Sequence, residues 1–399
     1  MAMGCGASEV STESDRNAAP SNVDVTTAST GPQRRWVQIP GDRAESGYVR
    51  LSPFDYASAG RPVPMVWFYP ERLDLDAMVA TLEKTLEKYQ LFTGRYAAPP
   101  EAVQLNNQGI PVEVVETSGS AREAAETYLP LQEEYKVYPR HSNAAFLPSA
   151  EIHAKMDPDK FDPEVPLLAV KLTRFAEGGT ALGLLLMHAV ADAQTEILFL
   201  TNWSQTFRHL PMDPLPVHQR CPPQVCGDEI SDSDLTAPST MKMRCVPQDE
   251  PVIPEFAPAM PKIMGQSICA FNFPKTTVDR MVAAAKVSAA EALDEGRYFS
   301  TDDVLSAQLW KAMVKLRCRQ LEIPEDSEDI TTSQRACNFR GRCEPKLGHG
   351  YCGNGVTQVW TEMRVKDILA ADISTIALQL RADLQKFTPA TVPLYGRWL

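Results

Sequence analysis

The feature that most limits the fold is a proline-rich stretch over residues 211–261, which contains eleven prolines among acidic residues and serines. Proline removes a backbone donor and fixes φ, so neither a long helix nor a central strand can pass through this stretch. A segment of this length without regular structure predicts a crossover between two folded units. The chain of 399 residues is long enough for two domains.

Both sides of the crossover mix helical and strand patterns. Leu167 to Phe175 and Ala181 to Met187 are apolar runs separated by a turn containing Gly178 and Gly179, which predicts a β-hairpin. Beyond the crossover, Ser300 to Asp303 is a cluster of N-capping residues ahead of a helix from Val304 to Leu316. We therefore expect an α/β (α+β) fold with two domains of mixed sheet plus helices, and a site at their interface.

The predicted boundaries follow from these changes in composition. We expect a disordered tail over 1–34, an N-terminal domain over 35–210, the linker over 211–261 and a C-terminal domain over 262–399. A start at Met3 would place Gly4 and Cys5 in a pattern typical of myristoylation and palmitoylation. Membrane contact is expected only in that case, because no apolar run reaches the ~18 residues that a membrane span requires.

Charge and cysteine content exclude several classes of protein. The net charge is −12, which argues against nucleic-acid binding because that function needs a basic surface. The nine cysteines are odd in number and scattered, which favours reduced thiols in a cytoplasmic protein. Their spacing matches no regular metal motif, so we expect no metal. The chain is predicted to be a monomer.

The apolar run from Thr180 to Met187 ends in His188, and Asp192 follows four residues later. This pattern predicts a buried strand that places an imidazole at its end, where catalytic and binding groups are common. Histidine is also the side chain whose ordinary pKa suits proton transfer near neutral pH. The local pattern is equally compatible with a core histidine that has an acidic residue nearby.

Several further motifs occur in a fixed order around this one. In chain order they are Leu51-Ser52 with Asp55, Leu91-Phe92-Thr93-Gly94-Arg95, the hairpin region Pro166–Gly179, His188-x-x-x-Asp192, Phe299–Trp310, and Asn338-x-Arg340-x-Arg342 with Gly350-Tyr351-x-Gly353-Asn354. Together they resemble the BAHD-type acyl-CoA-dependent acyltransferases, within the chloramphenicol-acetyltransferase-like superfamily. The resemblance covers about residue 47 to the C-terminus.

The resemblance implies direct acyl transfer from acyl-CoA, a co-substrate, to a hydroxyl or amine of a small-molecule acceptor, with no bound cofactor. It implies that His188 is the general base, and that Asp192 forms a structural ion pair with an arginine, for which Arg340 and Arg342 are the candidates. An alternative is that Asp192 orients the imidazole, as the aspartate of a catalytic triad does.

Two departures from the family pattern leave other functions open. Ala193 stands where the family usually has glycine, and an Asp-Phe-Gly-Trp-Gly motif is absent, so the C-terminal domain is expected to be incomplete. One alternative is therefore a truncated, non-catalytic protein with the same fold. Another is an enzyme like a peptide-synthetase condensation domain, although such domains carry a doubled histidine where this chain has Met187 before His188.

The remaining candidate residues are predicted to be structural. His141, His153, His209 and His218 lie in polar or proline-rich segments and are expected at the surface, and His349 in a loop. Trp310 is expected in the core, and Cys352 has no role in the family's chemistry. The basic residues of one helix could contact the phosphates of CoA, but a solvated face is the favoured interpretation; they are Lys311, Lys315, Arg317 and Arg319.

Overall fold

The structure is a computed structural model, and it describes residues 33–56, 62–97, 102–128, 135–139, 145–149, 151–152, 164–231 and 267–398. The predicted acylation sites Gly4 and Cys5, the histidines His141 and His153, and the second part of the crossover lie outside the described residues. The predicted domain boundaries remain predictions. The first strand begins at Gln33, just before the predicted end of the tail.

The strands are β1 (Gln33–Val37), β2 (Gly47–Arg50), β3 (Pro62–Tyr69), β4 (Arg95–Ala97), β5 (Ala102–Leu105), β6 (Ile110–Thr117), β7 (Tyr135–Pro139), β8 (Leu168–Phe175), β9 (Thr180–Met187), β10 (Ser267–Phe271), β11 (Ile330–Asn338) and β12 (Val356–Arg364). The helices are α1 (Pro53–Tyr56), α2 (Leu75–Leu86), α3 (Ala121–Tyr128), α4 (Ala193–Phe207), α5 (Pro223–Cys226), α6 (Lys275–Ser288), α7 (Ala290–Asp294), α8 (Thr301–Leu321), α9 (Val365–Ala370), α10 (Ile373–Gln385) and α11 (Val392–Trp398). The mixed α/β fold is confirmed.

The main sheet has five strands in the order β1-β6-β8-β9-β3. β6 and β8 are parallel and the other neighbours are antiparallel. The predicted hairpin is confirmed as β8 and β9, with Leu168 opposite Leu186. β3 lies at an edge of the sheet, the position where a proline such as Pro64 is tolerated because an edge strand has one side without a ladder partner. Every residue of β9 is buried, so its far end delivers the next residue, His188, to the margin of the core.

The other sheets are small. β2, β5 and β4 form a three-stranded sheet, and β11 pairs with β12 in antiparallel register. β10, which follows the crossover, pairs with β7, which precedes it. The two halves of the chain are therefore joined by backbone hydrogen bonds as well as by side-chain packing.

Helix starts follow the capping chemistry of the sequence. Ser300 and Asp303 form a reciprocal capping box at the start of α8, so the predicted cap cluster is confirmed. For α6 the sequence predicts Thr276 or Thr277 as the N-cap of a helix that runs through Lys286. This prediction is wrong, because the N-cap is Pro274 and both threonines lie inside the helix. Proline suits a helix start because it has no backbone N–H to leave unpaired there.

Buried apolar residues form separate clusters. The largest lies between the five-stranded sheet and helices α2 and α4 and includes Leu82, Phe92, Leu185 and Phe199. A second holds α8 against α10. A third joins α1, the crossover, the β11–β12 region and the C-terminal residues, with Phe54, Phe339 and Tyr395 among its members. This third cluster brings the chain's distant segments next to the His188 turn.

The last part of the chain differs from the sequence-based expectation. The sequence pattern predicts one helix from Met363 to Leu384, but β12 extends to Arg364 and two helices, α9 and α10, follow. The short, proline-containing end from Phe387 to Leu399 predicts no closing element, yet Val392 to Trp398 form α11. α11 packs on α5, where Gly227 adopts φ +79° and a Cβ would collide with the Pro393 carbonyl.

Candidate active site

His188 is the first residue after β9, in a turn closed by hydrogen bonds from Val190 N to Met187 O and from Ala191 N to the His188 carbonyl. Its side chain is half-buried. The ring Nδ1 is buried and has no hydrogen-bond partner among the described residues. The structure therefore places the predicted base at the end of a buried strand, as the sequence indicated, without any carboxylate on its ring.

Asp192 ends the same turn and caps α4 by accepting a hydrogen bond from Thr195 N at 2.9 Å. Its two oxygens receive a bidentate pair from Arg340, at 2.7 Å from Nη1 and 2.9 Å from Nη2. Both side chains are buried. The partner of Asp192 is thus Arg340, and no ion pair is formed with Arg342, the other candidate.

The loop after Arg340 returns to the same carboxylate. Gly355 N donates to Asp192 Oδ2 at 3.0 Å, and Gly353 O accepts from both Arg340 Nη2 and Thr195 Oγ1. A Cβ at Gly355 would lie 2.5 Å from Arg340 Nη1 and 2.6 Å from its Cζ, so only glycine fits beside the guanidinium. Asp192 is therefore turned away from the imidazole and fixed in a network of four donors.

Sequence reasoning missed a second polar cluster on the other side of the turn. The Asn354 side chain donates to the His188 carbonyl at 2.6 Å and to Asp55 Oδ1 at 3.0 Å. Asp55 is fully buried and also accepts from Ser52. Ser52, Asp55 and Asn354 had been recognised as motif residues, but nothing in their spacing showed that residues 299 positions apart would touch.

Glu196, on the first turn of α4, was also missed. It is buried on the helix face that carries Phe199 and Trp203, and its Oε1 has no hydrogen-bond partner in the described structure. Burial raises the pKa of this carboxyl to about 8, so it is mostly protonated at neutral pH. One sequence signal could have indicated its burial: Glu196 has helical spacing from the apolar residues Phe199 and Trp203, which places it on the same helix face.

Two of the predicted surface or loop histidines are exposed, His209 and His349. For His218 the prediction holds only in part, because the residue is half-buried. Its ring packs edge-on against Tyr89, with centroids 5.5 Å apart, and its Nε2 lies 2.8 Å from the Lys88 carbonyl. Burial lowers the pKa of His218 to about 4. The proline-rich crossover therefore packs against the core at this point instead of remaining solvated.

Cys352 and Trp310 are buried, as expected for structural residues. Burial raises the pKa of the Cys352 thiol to about 12, which leaves almost no thiolate at neutral pH, so this residue is unsuited to nucleophilic chemistry. Trp310 donates from Nε1 to Thr331 Oγ1 at 3.1 Å and so joins α8 to β11.

The basic residues of α8 divide into two groups. Lys315, Arg317 and Arg319 are exposed, which agrees with a solvated face. Lys311 instead donates to the Ala371 carbonyl and lines a cavity of about 500 Å³ between α6, α8 and α10. No contact of these residues reaches His188.

Comparisons with known proteins show the family to which the chain belongs. The model of the Transferase family matches residues 34–390, and the chain belongs to this family, the BAHD acyltransferases. Vinorine synthase of Rauvolfia serpentina is 25% identical over 345 residues, covering 84% of this chain and 70% of that enzyme. Stemmadenine O-acetyltransferase of Catharanthus roseus is 23% identical over 331 residues, and there the match spans 78% of this chain and 65% of the relative.

Solved structures show the same fold. The crystal structure of vinorine synthase superposes on this chain with a TM-score of 0.59 at 20% sequence identity. The match covers 89% of this chain and 75% of the vinorine synthase chain. TRI101 of F. graminearum, complexed with ethyl coenzyme A, has a TM-score of 0.60 at 15% identity, with 88% of this chain and 79% of that chain covered. Among the described residues, none of the helices combines the length and the apolarity that crossing a bilayer would require.

Proposed function

We propose that this protein transfers an acyl group from acyl-CoA to a hydroxyl or amine of a small molecule, with His188 as the general base. The observation that carries the proposal is that the two side chains of the His188–Asp192 turn have different environments. Asp192 is held by Arg340, Thr195 and Gly355, whereas the half-buried imidazole makes no hydrogen bond to a side chain in the part of the protein that the structure describes. The imidazole is therefore the group that remains available for proton transfer.

The ring geometry limits which nitrogen can act. Nδ1 is buried, so an acceptor molecule would have to approach the Nε2 edge. In the proposed step Nε2 takes the proton from the acceptor as its oxygen or nitrogen attacks the thioester carbonyl. The carbon–sulfur bond then breaks, and the departing CoA sulfur takes up the proton from the imidazolium. General-base action of this kind contributes about 10²–10⁴-fold to a rate.

A thioester is already an activated acyl donor, so the step needs no covalent enzyme intermediate. This agrees with the state of Cys352, whose thiol is buried and has a raised pKa. Relatives are named both for O-acetyl transfer, as stemmadenine O-acetyltransferase is, and for an amine, as tryptamine hydroxycinnamoyltransferase 2 of Oryza sativa subsp. japonica is. Both kinds of acceptor therefore belong in a test.

The test is release of free CoA from acetyl-, malonyl- or hydroxycinnamoyl-CoA in the presence of a panel of alcohols and amines. We expect acceptor-dependent CoA release that falls by at least about 10²-fold in His188→Ala. His209→Ala is the matched control, because His209 is an exposed histidine at the other end of α4. Full activity of His188→Ala would contradict the assignment of the base. Absence of acyl-CoA binding in isothermal titration would instead favour a non-catalytic protein.

A further inference from the structure

The backbone of His188 is held from outside its own turn by one side chain. Asn354 Nδ2 donates to the His188 carbonyl at 2.6 Å, and the same nitrogen donates to Asp55 Oδ1 at 3.0 Å. Asn354 N also donates to Asp55 Oδ1, at 2.9 Å. Asn354 is fully buried, so it cannot exchange these partners for water.

Asp55 is itself fixed from two directions. Its Oδ2 accepts from Ser52 N at 2.8 Å and from Ser52 Oγ at 2.7 Å. Arg220 Nη1 lies 3.7 Å from Oδ1 and donates to the Cys352 carbonyl at 2.9 Å. Arg220 is 7% exposed and Asp55 not at all, so the guanidinium compensates a carboxylate charge that would otherwise be costly to bury. Asp55 is therefore a rigid acceptor for Asn354.

Residues 353–355 hold the His188–Asp192 turn at both ends. Gly355 N binds the carboxylate of Asp192, while the Asn354 side chain binds the carbonyl of His188. The two contacts serve different purposes, because the first holds a residue that faces away from the ring and the second acts on the residue that carries the ring.

Among the residues that the structure describes, no side chain is hydrogen-bonded to the imidazole and sets its orientation. In a catalytic triad an aspartate on Nδ1 holds the ring, but here Nδ1 is buried without a partner. The direction of the ring must therefore be set by packing and by the position of its own backbone. We propose that Asn354, anchored by Asp55, is a positioning residue that fixes the His188 backbone and thereby aims the imidazole at the acceptor. This inference rests on the proposed function.

The expected effect is on the chemical step. A displacement of about 1 Å in a catalytic group can cost about 10²-fold in rate. We expect Asn354→Ala to lower kcat by about 10–100-fold per folded molecule, with KM for acyl-CoA changed by less than about twofold. The control is Asn202→Ala, because Asn202 is equally buried and also donates two side-chain hydrogen bonds, to Gln205 and Pro214, away from the turn. It should lose stability but little kcat.

Two further variants separate positioning from packing. Asp55→Asn combined with Asn354→Asp conserves shape and total charge but leaves no donor for the His188 carbonyl, so it should keep the low kcat. A packing role predicts recovery in this double variant. Ser52→Ala removes the hydroxyl that donates to Asp55 Oδ2 and accepts from Asp55 N at 3.4 Å, but keeps the bond from Ser52 N to Asp55 Oδ2. This variant is expected to fold and to lower kcat partially in the same direction.

Nuclear magnetic resonance of ¹³C-histidine-labelled protein provides a readout that does not need turnover. The His188 signal is assigned by its loss in His188→Ala. We expect that signal to shift or split in Asn354→Ala and to stay in place in Asn202→Ala. An unchanged His188 signal in Asn354→Ala, or a kcat loss no larger than in Asn202→Ala, would overturn the inference. If instead His188→Ala leaves turnover intact, the proposed function falls, and the resonance comparison still decides the role of Asn354.

Discussion

The Asp192→Asn substitution tests most directly which residue of the turn is structural. In the native site each carboxylate oxygen accepts from one Arg340 nitrogen and from one backbone N–H, that of Gly355 or of Thr195. An amide has a single acceptor oxygen. Whichever way it is turned, its NH₂ group faces one guanidinium nitrogen and one backbone N–H, so two of the four hydrogen bonds are lost and Arg340 keeps an uncompensated charge.

The magnitude follows from these losses. A neutral hydrogen bond contributes about 1 kcal/mol and one to a charged group about 1.5–3 kcal/mol, and breaking a buried ion pair costs about 3–5 kcal/mol. Since both partners are buried, with side chains 5% exposed, we expect the free energy of unfolding to fall by about 3–5 kcal/mol. The pH dependence of kcat should keep its shape, because the base is another residue.

Urea unfolding followed by circular dichroism measures the effect. Asp74→Asn is the matched control: Asp74 caps α2 by accepting from Asp76 N and Ala77 N but is exposed and has no arginine partner in the described structure. Asparagine caps helices about as well as aspartate, so this variant should lose less than about 0.5 kcal/mol. Equal losses in the two variants would refute the structural role of the ion pair, and a displaced pH profile in Asp192→Asn would indicate that Asp192 tunes the imidazole.

Two further outcomes are expected from neighbouring residues. Burial raises the pKa of Glu196 from 4.5 to about 8, so the folded protein holds a proton that the unfolded chain releases, and this group lowers stability as pH rises from 4.5 to 8. At pH 7 this lowers the free energy of unfolding by about 3 kcal/mol. Glu196→Gln should remove this pH dependence, as measured by urea unfolding between about pH 5 and 8. A pH dependence equal to that of the native protein would contradict the prediction. Gly355→Ala should lower both thermal stability and kcat, because the added Cβ would lie 2.5 Å from Arg340 Nη1. The control is Gly341→Ala, where an added Cβ meets nothing within 4 Å. Equal thermal stability and kcat in the two variants would show that the loop accommodates the Cβ and would contradict the prediction.

Local sequence patterns predicted the strands and the turn on which the candidate active site lies. The hairpin of β8 and β9 was evident from two apolar runs around Gly178 and Gly179, and the position of His188 followed from the end of the second run. The capping box at Ser300 was likewise visible, because a cap and its partner lie within one helical turn. These features depend on residues close in sequence, where propensity and periodicity apply.

Contacts between segments that are far apart in the sequence were much harder to predict. For one of them the sequence offered two candidate partners, and for another it offered none. The motif around Asn338 offered two arginines for Asp192, and both lie near the start of the same loop; only the three-dimensional path of the loop selects Arg340. The Asp55–Asn354 contact carries no local signature. The partial burial of His218 has a similar cause, since a proline-rich stretch predicts a solvated segment, whereas the His218 ring packs on Tyr89 and Phe92 of the first half.

The contacts that residues 353–355 make with the His188–Asp192 turn have a consequence for folding during synthesis. The Asp55–Asn354 and Asp192–Arg340 contacts join positions 299 and 148 residues apart, and closing such loops costs entropy before any contact stabilises them. During synthesis the N-terminal sheet can form once β9 has left the ribosome, but the turn after it cannot reach its final shape until residue 355 is available. Catalytic competence is therefore expected to appear late in folding, after most secondary structure has formed.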